Sequence, residues 1–157
     1  MHEIRLIHLP KDRYAIVDKD DYDELNKYKW QFCNGYASRL EYVEGKRKSV
    51  KMHRVIMGNP SNDIDHINLD RLDNRKDNLR ECIHDNNMHN RPKYRNNTSG
   101  YKGVSFHKGG RKWAATIGYN SKLYHLGSFT TPEEAAEAYN IAAITLHGEF
   151  ARINEGI

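Results

Sequence analysis

Cysteine is scarce in this chain: two residues, Cys33 and Cys82, among 157. Two thiols build neither a disulfide framework nor a four-ligand zinc site. Each lies in an apolar context, which predicts a small core residue in an intracellular, cytoplasmic protein. Long hydrophobic runs are missing too. Nothing approaches the roughly 20 consecutive apolar residues of a membrane span, and the opening MHEIRLIHLPKDRY has no signal-peptide pattern, so no membrane partner is expected. Hydrophobic residues make up only 38% of the chain against 29% charged. That excludes one large core and predicts small modules in series. Carboxylates are absent from one stretch. From Arg91 to Lys112 the chain has seven cations (Arg91, Lys93, Arg95, Lys102, Lys108, Arg111, Lys112) and no acid, although its net charge is only +4. Such a stripe suits a polyanion; a solvated linker is the bland alternative.

What is present falls into four segments. Residues 1–50 predict a β-rich platform. EIRLIHL and RYAIVD alternate apolar and polar residues as strands do, DKDDYDELNKYKW has helical spacing behind an acidic start, and YASRLEYV and KRKSV flank a Glu44-Gly45 hairpin turn. In residues 51–90 a strand is expected to run through His53 and break at Gly58-Asn59-Pro60. DIDHI and LRECI then predict two strands around an Asn/Asp-rich loop, followed by a helical turn or two containing Asn87. Residues 91–98 look like a basic linker. Residues 99–157 predict three strands and one helix. Thr131, Pro132 and Glu134 form its start signal, Gly148 stops it, and Ala135, Ala138, Tyr139, Ala142 and Leu146 form its apolar stripe.

The chemistry concentrates in DIDHINLDRLDNRKDNLRECIHDNN. His66 can take a proton from water as a neutral imidazole near pH 7. Asp65 and Asn87 offer hard oxygens for a divalent cation, with positions left over for water and a phosphate oxygen. A base and a hard-oxygen site, followed by a basic and aromatic segment, point to phosphodiester hydrolysis. His53 by itself reads as a core histidine.

The blocks MHRVIMG, DHINLDRLDNRKDNLREC and NN resemble the HNH endonucleases of the phage and intron-homing type. That resemblance implies a ββα-metal fold with His66 as general base, Asp65 and Asn87 as ligands of Mg²⁺ (Mn²⁺ as substitute), and His53, Asn74 and Asn78 as support. It also implies a phage or mobile-element origin and action in a bacterial host cell. Ile83 departs from the pattern, because relatives often carry there a threonine that caps the helix.

The blocks Tyr101-Lys102-Gly103-Val104, Lys112-Trp113-Ala114-Ala115, Leu126-Gly127 and Glu134-Ala135-Ala136 resemble the DNA-binding domain of Apetala-two/ethylene-response-factor type. That implies a three-stranded antiparallel sheet on one helix, its open face laid in the major groove of double-stranded DNA. Alternation aims Ser105, His107, Thr116, Leu123 and His125 at that face and Trp113 at the helix, with Lys102, Lys108, Arg111 and Lys112 placed for phosphates. Plant relatives carry arginines and tryptophans at several open-face positions, so the fold transfers but the base-reading code does not. The expectation is an α+β protein: a Mg²⁺-dependent, site-selective DNA endonuclease, nicking as a monomer. The rivals are a DNA-binding regulator with a non-functional nuclease centre and a structural RNA-binding protein.

Overall fold

A computed structural model describes residues 3–84 and 89–157. Small antiparallel sheets and short helices alternate along it, an α+β arrangement. Its contacts divide the chain into two units, Met1–His84 and Asp85–Ile157. Among the described residues no helix is long and apolar enough to cross a membrane.

In the first unit, β1 (Ile4–Leu9) and β2 (Arg13–Asp18) form an antiparallel hairpin. Their alternation buries Ile7, Leu9, Ala15 and Val17 on one face. The short helix α1 (Lys19–Leu25) opens with Asp20 and Asp21, which complement its dipole, and closes with buried Leu25. Trp30 joins this core and donates Nε1–H to the Leu25 carbonyl at 2.8 Å. Strands β3 (Gln31–Cys33), β4 (Tyr36–Val43) and β5 (Lys46–Lys51) form a three-stranded sheet in that order. Glu44 and Gly45 turn with φ of 52° and 75°, the paired positive values a two-residue hairpin loop requires. Then come helix α2 (Met52–Ile56) and the hairpin of β6 (Asp63–His66) with β7 (Leu79–Cys82).

Two sequence expectations change here. His53 stands in α2, not in a strand. Met52 is fully buried, Val55 and Ile56 pack beside it at three- and four-residue spacing, and the strand ends at Lys51. Cys33 is exposed, because β3 is a three-residue edge strand with no buried position; Cys82 is buried as expected.

In the second unit, β8 (Val104–His107), β9 (Lys112–Tyr119) and β10 (Lys122–Phe129) form an antiparallel sheet with β9 central. Helix α3 (Pro132–His147) packs on it. Its start is the expected capping box: Glu134 N–H donates to Thr131 Oγ1 at 3.2 Å, and Thr131 N–H donates back to Glu134 Oε2 at 3.3 Å. The buried line is Ala135, Ala136, Tyr139, Ala143 and His147. Ala138, Ala142 and Leu146 flank it half-buried. The stripe is therefore rotated slightly from the expected one.

Gly103 shows how close this packing is. It has φ of +75°, and a Cβ there would meet the Tyr139 ring at 2.1 Å. Gly103→Ala combines left-handed strain with overpacking, so it should destabilise this unit by about 2–4 kcal/mol. Urea unfolding followed by tyrosine and tryptophan fluorescence measures this. A loss below about 1 kcal/mol, less than overpacking alone costs, would show that Tyr139 yields freely.

Candidate functional site

Strand β6 delivers Asp65 and His66, both 4% exposed. The loop after it is built by its own side chains. Asn68 Oδ1 accepts from the Asp70 amide at 2.9 Å, and Asp70 Oδ1 accepts from the Leu72 amide at 2.9 Å. Asn78 closes the loop, donating Nδ2–H to the Asp73 carbonyl at 2.8 Å and accepting from the Asn68 amide at 3.0 Å. Short polar side chains that bond nearby backbone hold such irregular loops. The loop is also pinned to β2, where Ile16 and Asn74 exchange backbone bonds with Leu72 and Ile16.

The pinning orients His66. Asn74 Nδ2–H donates to the Leu72 carbonyl at 3.0 Å, which turns Oδ1 towards His66 Nε2 at 3.3 Å. A carboxamide oxygen accepts only, so Nε2 carries the proton and Nδ1 carries the lone pair. Burial pushes the His66 pKa down, opposed by the Asn74 hydrogen bond and the Asp65 charge. The ring is therefore neutral at pH 7 and able to accept a proton.

His53 packs edge-on against His66 with ring centroids 5.0 Å apart, and against Tyr36 at 5.1 Å. Its Nδ1 is buried without a hydrogen-bond partner. Burial, helped by the charges of Lys51, Arg54 and Arg71 and by His66, pushes its pKa down to about 3. Unfolded, the ring would titrate near its ordinary value and bind a proton that the folded protein refuses until far lower pH. Stability therefore rises with pH from about 3 to 6.5. Between pH 6.5 and 5 this one group should cost about 1.5 kcal/mol. Comparing urea midpoints of the protein and a His53→Asn variant across that range isolates it. Equal pH slopes for the two would remove His53 as the cause.

Asp65 faces Arg80 across the hairpin and accepts from its Nε and Nη2 at 3.0 and 2.8 Å. Its buried carboxylate thus already sits against a cation. The carboxylate that the family resemblance assigns to a metal is therefore engaged by Arg80. Among the described residues no group of three or more His, Cys, Asp or Glu side chains could hold a metal. Asn87, the second expected ligand, lies outside the described residues.

Two groups at this site, Arg80 and Arg71, escaped the sequence reading, whereas Lys51 was expected near a loop or exposed on a platform that touches phosphates. Arg80 as the partner of Asp65 depends on strand register. Lys51 and Arg71 stack on the Tyr36 ring, at 4.5 and 4.7 Å from its centroid, and so bring two cations beside the histidine pair. Arg71 lies in the Asn/Asp-rich loop, where its charge was the available signal.

In the second unit, the register sets His125 opposite Thr116, Leu123 opposite Gly118, His107 opposite Lys112 and Ser105 opposite Ala114. Ser105, His107, Leu123 and His125 are exposed and Thr116 is half-buried. His107 Nδ1 accepts from the Gly110 amide at 3.2 Å, which leaves the proton on Nε2. Lys108, Arg111 and Lys112 are exposed at the β8–β9 turn. Trp113 packs into the helix-side core, its ring 4.9 Å from that of Phe106. Lys102 differs from expectation: it is half-buried and its Nζ donates to the His89 carbonyl at 2.6 Å.

No family model matches the chain. An uncharacterized HNH endonuclease of Acanthamoeba polyphaga mimivirus is 31% identical over 153 residues, spanning 92% of this chain and 76% of that one. Protein 3.8 of Escherichia phage T7 is 36% identical over 89 residues, 57% of this chain and 73% of its own. An AP2-like ethylene-responsive transcription factor of Arabidopsis thaliana is 53% identical over 51 residues, 31% of this chain and 9% of the plant protein. With an orienting Asn74 behind His66 and an HNH endonuclease 31% identical along 92% of this chain, the chain belongs to the HNH endonuclease family.

Proposed function

We propose that this protein is a site-selective DNA endonuclease that nicks double-stranded DNA as a monomer in a phage- or mobile-element-encoded homing role, with a ββα-metal centre over residues 51–90. The observation that carries the reading is the Asn74–His66 contact. It fixes the tautomer that leaves Nδ1 to draw a proton from a water attacking phosphorus. Lys51 and Arg71, held on Tyr36, attract the phosphate to the histidine. Asp65 and Asn87 would hold Mg²⁺, or Mn²⁺ in its place. When bound, the ion supplies charge stabilisation at the phosphate and the leaving 3′ oxygen. His53, Asn74 and Asn78 position the site. In the second unit Ser105, His107, Thr116, Leu123 and His125 meet base edges, while the exposed Lys108, Arg111 and Lys112 meet phosphates and Lys102, held on the His89 carbonyl, does not; base contacts specify and phosphate contacts position.

The Asp65–Arg80 ion pair favours one other reading, a DNA-binding regulator whose nuclease centre does not work, because it engages the carboxylate meant for the metal. Metal titration separates the two. If the nuclease reading holds, Asp65→Ala and Asn87→Ala each shift Mg²⁺ activation of plasmid cleavage to higher concentration. Asp65→Ala has the larger effect, since its charge offsets that of the ion. Mg²⁺ curves that coincide with wild type for both variants would take these residues out of the metal site.

A further inference from the structure

The second unit contains a cavity of about 800 Å³, beside the β9–β10 turn and the end of α3, within the size range of small-ligand sites. Its floor is buried and mostly apolar, formed by Ile117, Tyr139 and His147. Lys102 lines it, with its ammonium drawn out of water, and burial pushes the pKa down to about 8. The exposed residues Lys93, Arg95 and Lys122 line its mouth, and Tyr94 and Tyr119 add rings. Among the described residues no Asp or Glu lines it. A cavity with cations at the opening and no counter-charge favours an anion. One with rings and an apolar floor favours a flat, apolar-faced group.

His147 narrows the choice. Its ring stacks on His89 at 3.7 Å, and its Nε2 donates to the Gly118 carbonyl at 2.9 Å. The proton is thus on Nε2, and Nδ1 is a buried acceptor with no hydrogen-bond partner. His147 lines the cavity, so a ligand edge carrying an N–H or O–H donor would satisfy this nitrogen once the ring turns towards it, and a buried polar atom left unsatisfied costs stability. Anionic group, flat ring and donor edge together describe a nucleotide.

We propose that this cavity binds one nucleotide, with its phosphate at Lys93, Arg95 and Lys122 and its base against the tyrosine rings and His147. The site stands apart from the nuclease chemistry of the first unit. Thr116 and Leu123 line both the cavity and the sheet face assigned to duplex DNA, so a strand leaving that face could enter it. A free nucleotide offers the same chemistry.

The test is a titration of the full chain, in EDTA to silence any nuclease, with deoxyadenosine monophosphate, with a five-nucleotide oligodeoxyadenylate and with inorganic phosphate, followed by tyrosine fluorescence. Binding of the oligonucleotide and the mononucleotide, with phosphate alone failing to displace them, supports a nucleotide site open to free nucleotides. Binding of the oligonucleotide only supports a strand site. Joint charge reversal, Arg95→Glu with Lys122→Glu at exposed positions, should weaken either ligand at least about tenfold, the loss of one good contact. His147→Phe should do the same. If that variant unfolds, the His147 ring-nitrogen NMR resonances of the wild-type protein should shift on adding ligand. No binding at millimolar ligand, full displacement by phosphate, or unmoved His147 resonances would overturn the proposal. Each of those results would leave the nuclease reading intact.

Discussion

His66→Ala should lower plasmid cleavage by about 10²–10⁴-fold, the usual contribution of a positioned general base, while DNA affinity stays close to that of the unaltered protein. The expectation rests on Asn74. Its carboxamide is turned by the Leu72 carbonyl, so His66 presents Nδ1 as a lone pair and burial keeps the ring neutral. The cations proposed to draw the phosphate, Lys51 and Arg71, lean on Tyr36 and not on His66, so binding should survive the truncation. Single-turnover cleavage alongside a filter-binding titration reads both quantities. Cleavage within about tenfold of wild type, less than a lost base costs, would reassign the base. Affinity and cleavage lost together would make His66 a structural residue.

The next largest effect should come from truncation. A fragment ending near Arg95 keeps the hairpin, the loop and the histidine pair of the first unit, but loses the sheet that carries the open-face residues and every assigned phosphate cation. Its affinity for the cognate site should drop by orders of magnitude. The full chain's affinity should fall with salt at about −0.9 per phosphate contact, and the fragment's slope should be shallower. The same affinity and slope for both chains would show that residues 96–157 do something other than bind DNA.

The parts legible in the sequence were those set by local rules. The hairpin at Glu44-Gly45 and the capping box at Thr131 were readable because turn and cap chemistry are written in two to four adjacent residues. Facing on the C-terminal sheet was readable in part because strand period is fixed: His107 and His125 are exposed and Val104, Ala115 and Ile117 are buried, but Phe106 and Tyr124, which alternation also aims at the helix, are exposed near the ends of their strands. His53 was misplaced because a five-residue helix is too short to show its period, and HRVIM is as apolar as a strand. The Asp65–Arg80 pair was invisible because the long loop between the strands leaves their register open. His66 was singled out by its motif as the candidate base. Its tautomer was not legible, since that depends on how Asn74 is turned by backbone it meets only in the fold. His147 was missed for a similar reason: at a helix end it reads as a residue that complements the dipole, and only packing shows its buried, unpartnered nitrogen.

The most direct test is the conversion of supercoiled phage or plasmid DNA by the purified protein, with Mg²⁺ and with EDTA. Open-circular product is expected with Mg²⁺ and none with EDTA, and almost none from His66→Ala under either condition. Supercoiled DNA that stays intact with Mg²⁺ and with Mn²⁺, while the protein demonstrably binds it, would contradict the nuclease reading and leave the DNA-binding regulator in its place.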